Sequence, residues 1–169
     1  MLRTIGVALL ALLATACAHV PPTSTDGKAT VVRVVDGDTI VVRISGHDET
    51  VRLLGIDTPE THKPDTPVEC FGPEASARLT ALLPRGTAVR LVRDVEARDR
   101  YGRLLAYVYR DADNLFIDLT MVAEGYAGTL SIAPNTAHRD ELSRALNGAQ
   151  VAHRGLWATC GGNHVAGGG

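Results

Sequence analysis

Strong positive charge is the first thing this sequence lacks. It carries 17 Lys and Arg against 19 Asp and Glu, a formal net charge of −2. Long-range electrostatic steering of a polyanion is therefore weak, and any phosphate-binding function must rest on a local cluster of cations. Internal repeats are also missing, and neither disorder nor a fibrous repeat is indicated. The only long apolar run, Ile5–Ala14, is too short to span a bilayer as an ordinary helix. Cysteine is scarce, with three residues in 169. The hydrophobic fraction of 45% and charged fraction of 21% are those of an ordinary globular protein. The length suits one domain with a real core.

The N-terminus reads as an export signal. Arg3 precedes the apolar run, and Ala14-Thr15-Ala16-Cys17 follows it. Ala14-x-Ala16 fits ordinary signal peptidase, giving residues 1–16 as the signal. Small residues directly before Cys17 also resemble a lipobox, which would leave a lipidated Cys17 and a membrane anchor. Removing residues 1–16 deletes Arg3 alone, so the mature charge becomes 16 − 19 = −3. Residues 17–29, rich in Pro and Thr, read as a tether. Residues 161–169 are Gly-rich and read as a disordered tail. The domain is expected over 30–160.

Within it, Thr30–Val35, Thr39–Ile44, Glu49–Ile56, Thr87–Val92 and Arg103–Arg110 have the β-branched content and polar punctuation of strands. Pro73–Leu83 starts with Pro in its first turn and stops at Pro84, as a helix does. Phe116–Glu124 ends at Gly125, and Thr136–His153 follows Asn135, with Leu142, Ala145, Leu146 and Ala149 on one stripe. Five short strands with three helices, the first helix after the third strand, predict an OB-fold: a partly open five-stranded β-barrel with α-helices.

Strand parity places several charges beside apolar residues. Asp38 shares a face with Ile40, Val42 and Ile44, Arg52 with Leu54 and Ile56, and Arg103 with Leu105 and Tyr107. A charge in such a place is costly unless it sits at a barrel mouth with a partner. Each signal alone has a plain structural reading. Asp36-Gly37-Asp38 is a common hairpin turn, Asp57-Thr58-Pro59-Glu60 an Asx-turn or helix start, and Arg98–Arg103 a solvated charge run.

Together they do more. Val35-Asp36-Gly37-Asp38-Thr39, Arg52-Leu53-Leu54-Gly55-Ile56-Asp57-Thr58-Pro59-Glu60-Thr61, Phe71-Gly72-Pro73-Glu74-Ala75-Ser76 and Asp99-Arg100-Tyr101-Gly102-Arg103-Leu104-Leu105-Ala106-Tyr107 occur in one order across Thr30–Trp157. This arrangement resembles the staphylococcal nuclease (thermonuclease) family. The resemblance implies the OB barrel with three helices and hydrolysis of phosphodiester bonds in DNA or RNA by a monomer, leaving 3′-phosphates. It implies Ca²⁺ as cofactor, held by the carboxylates of Asp38 and Asp57 and the carbonyl of Thr58; hard oxygen donors suit that cation. Glu60 matches the family's general base. Arg52 and Arg103 match the arginines that grip the scissile phosphate, a task suited to a planar fork. Arg100 and Tyr101 match substrate-binding positions. One departure is plain: Gly128–Pro134 has neither the tyrosines nor the lysine that the family prototype places before its last helix. The alternative readings are a non-catalytic nucleic-acid-binding OB module and an envelope lipoprotein whose barrel contacts proteins. The first predicts missing carboxylates or arginines, and all five positions are filled.

Cys70 and Cys160 remain after export accounts for Cys17. They stand beside the first and last helices, and in an oxidising compartment they are expected to form a disulfide; the other reading is two free thiols. A zinc site lacks partners of suitable spacing.

Overall fold

The computed structural model describes residues 29–61 and 67–167. The expected export signal over 1–16, Cys17 and the expected tether up to residue 28 lie outside the described residues. Among those described, no helix is long and apolar enough to cross a membrane.

The described residues form eight strands and four helices. They are β1 (Ala29–Asp36), β2 (Thr39–Ile44), β3 (His47–Leu53), β4 (Gly55–Asp57), α1 (Gly72–Leu82), β5 (Ala88–Val92), β6 (Leu104–Arg110), β7 (Leu115–Phe116), α2 (Ile117–Ala123), β8 (Gly128–Leu130), α3 (Arg139–Val151) and α4 (Leu156–Thr159). The barrel order is β3-β2-β1-β5-β6, and β3 closes it by pairing parallel with β6, Arg52 opposite Leu105. The other barrel pairings are antiparallel. This is the expected five-stranded OB barrel. Register shifts in β1 after Val31 and Val34 mark bulges, the device that bends a strand enough to close a small barrel.

The lumen is filled by Val31, Ile40, Val42, Val51, Leu53, Val89, Ala106 and Val108, each almost fully buried. Ala75, Leu79 and Leu82 of α1, Ile117, Met121 and Val122 of α2, and Leu142 of α3 belong to the same core. A second cluster of Leu54, Tyr107 and Phe116 lies apart from it. Burying one such aliphatic side chain contributes about 1.5–3 kcal/mol, so the core orients the strand ends that carry the charges.

Four details differ from the sequence reading. The third strand does not run unbroken to Ile56: Gly55, at φ +76°, turns the chain between β3 and β4. A Cβ there would also run into Leu142 of α3. Leu54 and Ile56, expected on one face, consequently fall into different clusters. Second, β4 finds its own partner in β8, Asp57 opposite Gly128. Third, the last long helix starts at Arg139 rather than Thr136. Asn135 does not cap it; it is buried and clasps the Glu96 backbone instead, accepting from its N–H at 2.8 Å. A short fourth helix, α4, follows. Fourth, residues 161–167 of the expected tail are placed, with Ala166 bridged to Glu69 and the Val165 carbonyl accepting from the Cys70 N–H at 2.8 Å.

Candidate active site

The site begins at the tight connection from β1 to β2. Asp36 holds that turn: its Oδ1 accepts from the Gly37 N–H at 2.7 Å, the Thr61 hydroxyl at 2.9 Å and the Ser76 hydroxyl at 3.2 Å. One carboxylate thus ties the turn to the loop after β4 and to α1. Gly37 is required by closeness, since a Cβ there would lie 2.7 Å from Thr58 Oγ1. Asp36 was legible only as a turn residue, and nothing local in the sequence signals its two distant partners, Thr61 and Ser76.

Asp38 follows, buried at 8% exposure. Its Oδ2 accepts from the Thr58 N–H and hydroxyl, each at 3.2 Å, and its Oδ1 from the Thr39 hydroxyl at 2.9 Å. Burial pushes this carboxyl above its usual range, against the pull of Arg52.

Arg52 joins the two sides of the site. Its Nη1 donates to the carbonyls of Leu53 at 2.7 Å and Ile56 at 2.9 Å, across the turn at Gly55. Its Nη2 lies 3.0 Å from Asp38 Oδ2 and 2.9 Å from Asp57 Oδ1. Two carboxylates from different strand ends therefore converge on a single nitrogen. The turn at Gly55 is what lets Asp57 come back to the residue five positions before it.

Asp57 has further partners. Its Oδ2 is 2.7 Å from His164 Nε2, and its carbonyl accepts from Asn163 Nδ2 at 3.2 Å. The other ring nitrogen of His164 is 2.7 Å from Glu69 Oε2. Partial burial opposes the charged ring, but the hydrogen bonds to Asp57 and Glu69 outweigh it and raise the His164 pKa above the ordinary value. Glu60 enters through the same loop. Its N–H donates to Glu69 Oε2 at 2.8 Å, and its carboxyl Oε1 accepts from the Thr61 N–H at 3.1 Å. Sequence reasoning missed Glu69, Asn163 and His164. The last two lay in a segment read as disordered from its glycine content.

Arg103 approaches from the loop before β6. Asp99 builds that loop: Oδ1 accepts from the N–H groups of Tyr101 and Arg103, each at 2.9 Å, and Oδ2 from Arg103 Nε at 2.6 Å. Partial burial alone would raise the Asp99 carboxyl, but Arg103 and these N–H groups bring it below its usual value. Arg100 Cζ sits 4.8 Å from the Tyr101 ring centroid, and that ring is 69% exposed. Arg98, by contrast, is tied to Glu49 by two 3.0 Å contacts. The run 98–103 is an ordered loop, not a solvated series of charges.

Arg52, Arg100, Tyr101 and Arg103 line one cleft of about 490 Å³, with Glu96, Asp99, Leu130 and Ile132 on its other walls. The structure therefore brings Asp38, Arg52, Asp57 and Thr58 into direct contact and adds Arg103, Arg100 and Tyr101 across the cleft. It places Cys70 and Cys160 in a disulfide, with Cα atoms 6.0 Å apart.

The donor set fits a hard cation. Both carboxylates reach the same point, one of them is buried against its own charge, and all proposed donors are oxygens. Two carboxylates and one carbonyl would leave several positions of such a cation to water; among the described residues no group of three or more His, Cys, Asp or Glu could hold a metal.

A five-stranded barrel with paired carboxylates and arginines at one end of its strands defines an OB-fold protein built to meet an anionic ligand. The chain belongs to the staphylococcal nuclease family. Residues 50–159 match the family described as Staphylococcal nuclease homologue. The chain is 42% identical over 127 residues to Thermonuclease of Staphylococcus intermedius, covering 75% of this chain and 74% of that protein. It is 38% identical over 128 residues to Thermonuclease of Staphylococcus hyicus, covering 76% and 74%. Endonuclease YncB of Bacillus subtilis is 38% identical over 133 residues, covering 78% and 62%.

Proposed function

We propose that the protein is an exported Ca²⁺-dependent endonuclease that hydrolyses phosphodiester bonds in DNA or RNA and leaves 3′-phosphates. The observation that carries this reading is the convergence of Asp38 and Asp57 on Arg52, whose side chain also lines the cleft shared with Arg103. Relatives named as thermonucleases and endonucleases support it.

Asp38 and Asp57, with the Thr58 carbonyl, are the residues that would hold the cation. When bound it supplies positive charge against the phosphate oxygens as negative charge grows in the transition state. Arg103, aimed by Asp99, offers its remaining N–H groups to a non-bridging oxygen. Arg52, whose Nη2 is held by the two carboxylates, also lines the cleft and would meet the same phosphate there with a charged N–H donor. Glu60 accepts the proton of the attacking water as its oxygen bonds to phosphorus. The bond from phosphorus to the 5′ oxygen breaks, and that oxygen takes a proton from solvent. Tyr101, exposed and flanked by Arg100, offers a ring face to a neighbouring nucleotide.

Export with either a free N-terminus or a lipidated Cys17, and action as a monomer, belong to the same proposal. Hydrolysis of denatured DNA in Ca²⁺ and in excess EGTA tests it. Activity in Ca²⁺ that disappears with EGTA is expected, and full activity in EGTA overturns the metal assignment.

A further inference from the structure

Residues 160–167 lie beyond the span matched to the family, yet they reach the site more directly than much of the barrel does. The Cys70–Cys160 disulfide brings the chain back beside α1. From there it runs along residues 68–70: the Cys70 N–H donates to the Val165 carbonyl at 2.8 Å, and the Gly167 N–H to the Val68 carbonyl at 3.2 Å. This places Asn163 and His164 over the β4 end. Asn163 Nδ2 donates to the Asp57 carbonyl, and His164 stands between Asp57 Oδ2 and Glu69 Oε2, 2.7 Å from each. Glu69 Oε2 also accepts from the Glu60 N–H at 2.8 Å, and the Glu69 N–H donates to the Glu60 carbonyl at 2.9 Å.

We propose that His164 is a positioning residue that fixes the orientation of the Asp57 carboxylate for the cation, with Glu69 as the anchor that joins it to the Glu60 backbone. The proposal rests on the metal reading above. The physical case is that a carboxylate has two oxygens and free rotation about its last bond. Asp57 has Oδ1 turned to Arg52 and Oδ2 turned to the ring, so both oxygens are fixed before any cation arrives. Groups that orient a ligand in this way typically change metal affinity or activity 10–100-fold when removed. The same short path, His164 to Glu69 to the Glu60 N–H, restrains the end of β4 at Asp57 and the loop after it that carries Thr58 and Glu60. Residues 161–167 thus act as a clasp, fastened by the disulfide at one end and reaching Asp57 through two side chains, Asn163 at its carbonyl and His164 at its carboxylate.

The test uses the full oxidised protein, with His164→Ala and His164→Gln beside the parent. Ca²⁺ binding is measured by calorimetry, amide exchange at Thr58 and Glu60 by mass spectrometry or NMR, and turnover at rising Ca²⁺. His164→Ala should weaken Ca²⁺ binding about tenfold or more and speed exchange at both amides, with turnover approaching the parent as Ca²⁺ saturates. His164→Gln keeps an N–H donor toward Asp57 and should regain most of the affinity. An alanine variant with parental affinity and parental exchange overturns the proposal. A lowered melting temperature with neither of those changed also overturns it, because His164 would then be a fastener only. A parent that binds no Ca²⁺ refutes the metal reading instead, and the exchange rates then decide the clasp by themselves.

Discussion

Arg52→Gln isolates the electrostatic centre of the site. Glutamine keeps part of the length and polarity of arginine and removes the charge. In the parent, one guanidinium serves the Leu53 and Ile56 carbonyls and both carboxylates, with its side chain only 14% exposed. Glutamine offers two N–H donors and cannot satisfy four acceptors. Asp38, already held uncomfortably by burial, then faces Asp57 with no cation between them. Removing one partner of a buried ion pair typically costs about 3–5 kcal/mol. Exposure of Asp57 and access of water lower that here, so about 2–4 kcal/mol is expected without Ca²⁺. For a domain of this size each kcal/mol lowers the melting temperature by roughly 3–5 °C, so circular dichroism in EGTA should show a drop of about 6–20 °C. Ca²⁺ should return a large part of the loss by supplying the missing charge to both carboxylates. Turnover on denatured DNA should fall by about 10²–10³ even at saturating Ca²⁺, the usual effect of losing one transition-state donor. A variant that melts within about 2 °C of the parent in EGTA refutes the argument that Arg52 holds the carboxylates together. One that is stabilised no more than the parent by Ca²⁺ refutes the argument that a cation takes its place.

The other expectations are more local. Asp99→Ala frees Arg103 Nε and two loop N–H groups and should lower kcat/KM about tenfold with little change in melting temperature, since small misplacements at a reacting centre are costly; unchanged kcat/KM would show that Asp99 does not aim Arg103. Asp118 is fully buried and accepts from the Val108 N–H at 2.8 Å, and burial holds its pKa well above the ordinary 3.8. Its contribution is therefore fully present below about pH 4 and lost as pH rises through the folded pKa, at up to about 1.4 kcal/mol per pH unit; urea titrations of Asp118→Asn should lack this part of the slope, and parallel pH profiles for the two proteins would sink the idea. Reduction of the Cys70–Cys160 bridge, which closes 90 positions of chain, should remove about 4–5 kcal/mol in the chain-entropy model and release residues 161–167 before the barrel; equal protection of those residues in reduced and oxidised protein would contradict it.

Local patterning made the barrel legible. The β-branched run Thr39–Ile44 between polar turns, and the apolar stripes of period near 3.6 on α1 and α3, lie close to where the elements appeared. What patterning could not show was where the chain turns inside an apolar run. Leu53-Leu54-Gly55-Ile56 reads as one strand because hydrophobicity continues through it, while Gly55 at positive φ divides it. The three-residue strand β8 is too short to have a period at all. Asn135, after which the last long helix was expected to begin, spends both its amide groups on Glu96, a partner 39 positions away.

The site was legible to the same degree and for the same reason. Parity put Asp38, Arg52 and Arg103 beside apolar residues, a sign that each charge needs a partner. It could not say that they meet. Asp38 shares the lumen face with Ile40 and Val42, whereas Arg52 pairs across strands with Thr39 and Leu105 on the opposite face. They come together only because the arginine reaches past the strand end at the turn that Gly55 makes. That geometry also bears on how a chain of net charge −2 would provide the proposed phosphate site. Three arginines face one cleft, with Asp99 aiming one of them and Asp38 and Asp57 holding another. What is gathered by position is a set of guanidinium donors, with Glu96 and Asp99 on the same walls. Affinity for a polyanion should then depend on the ordering of a few side chains, and the segment that orders Asp57 is the one whose composition said least.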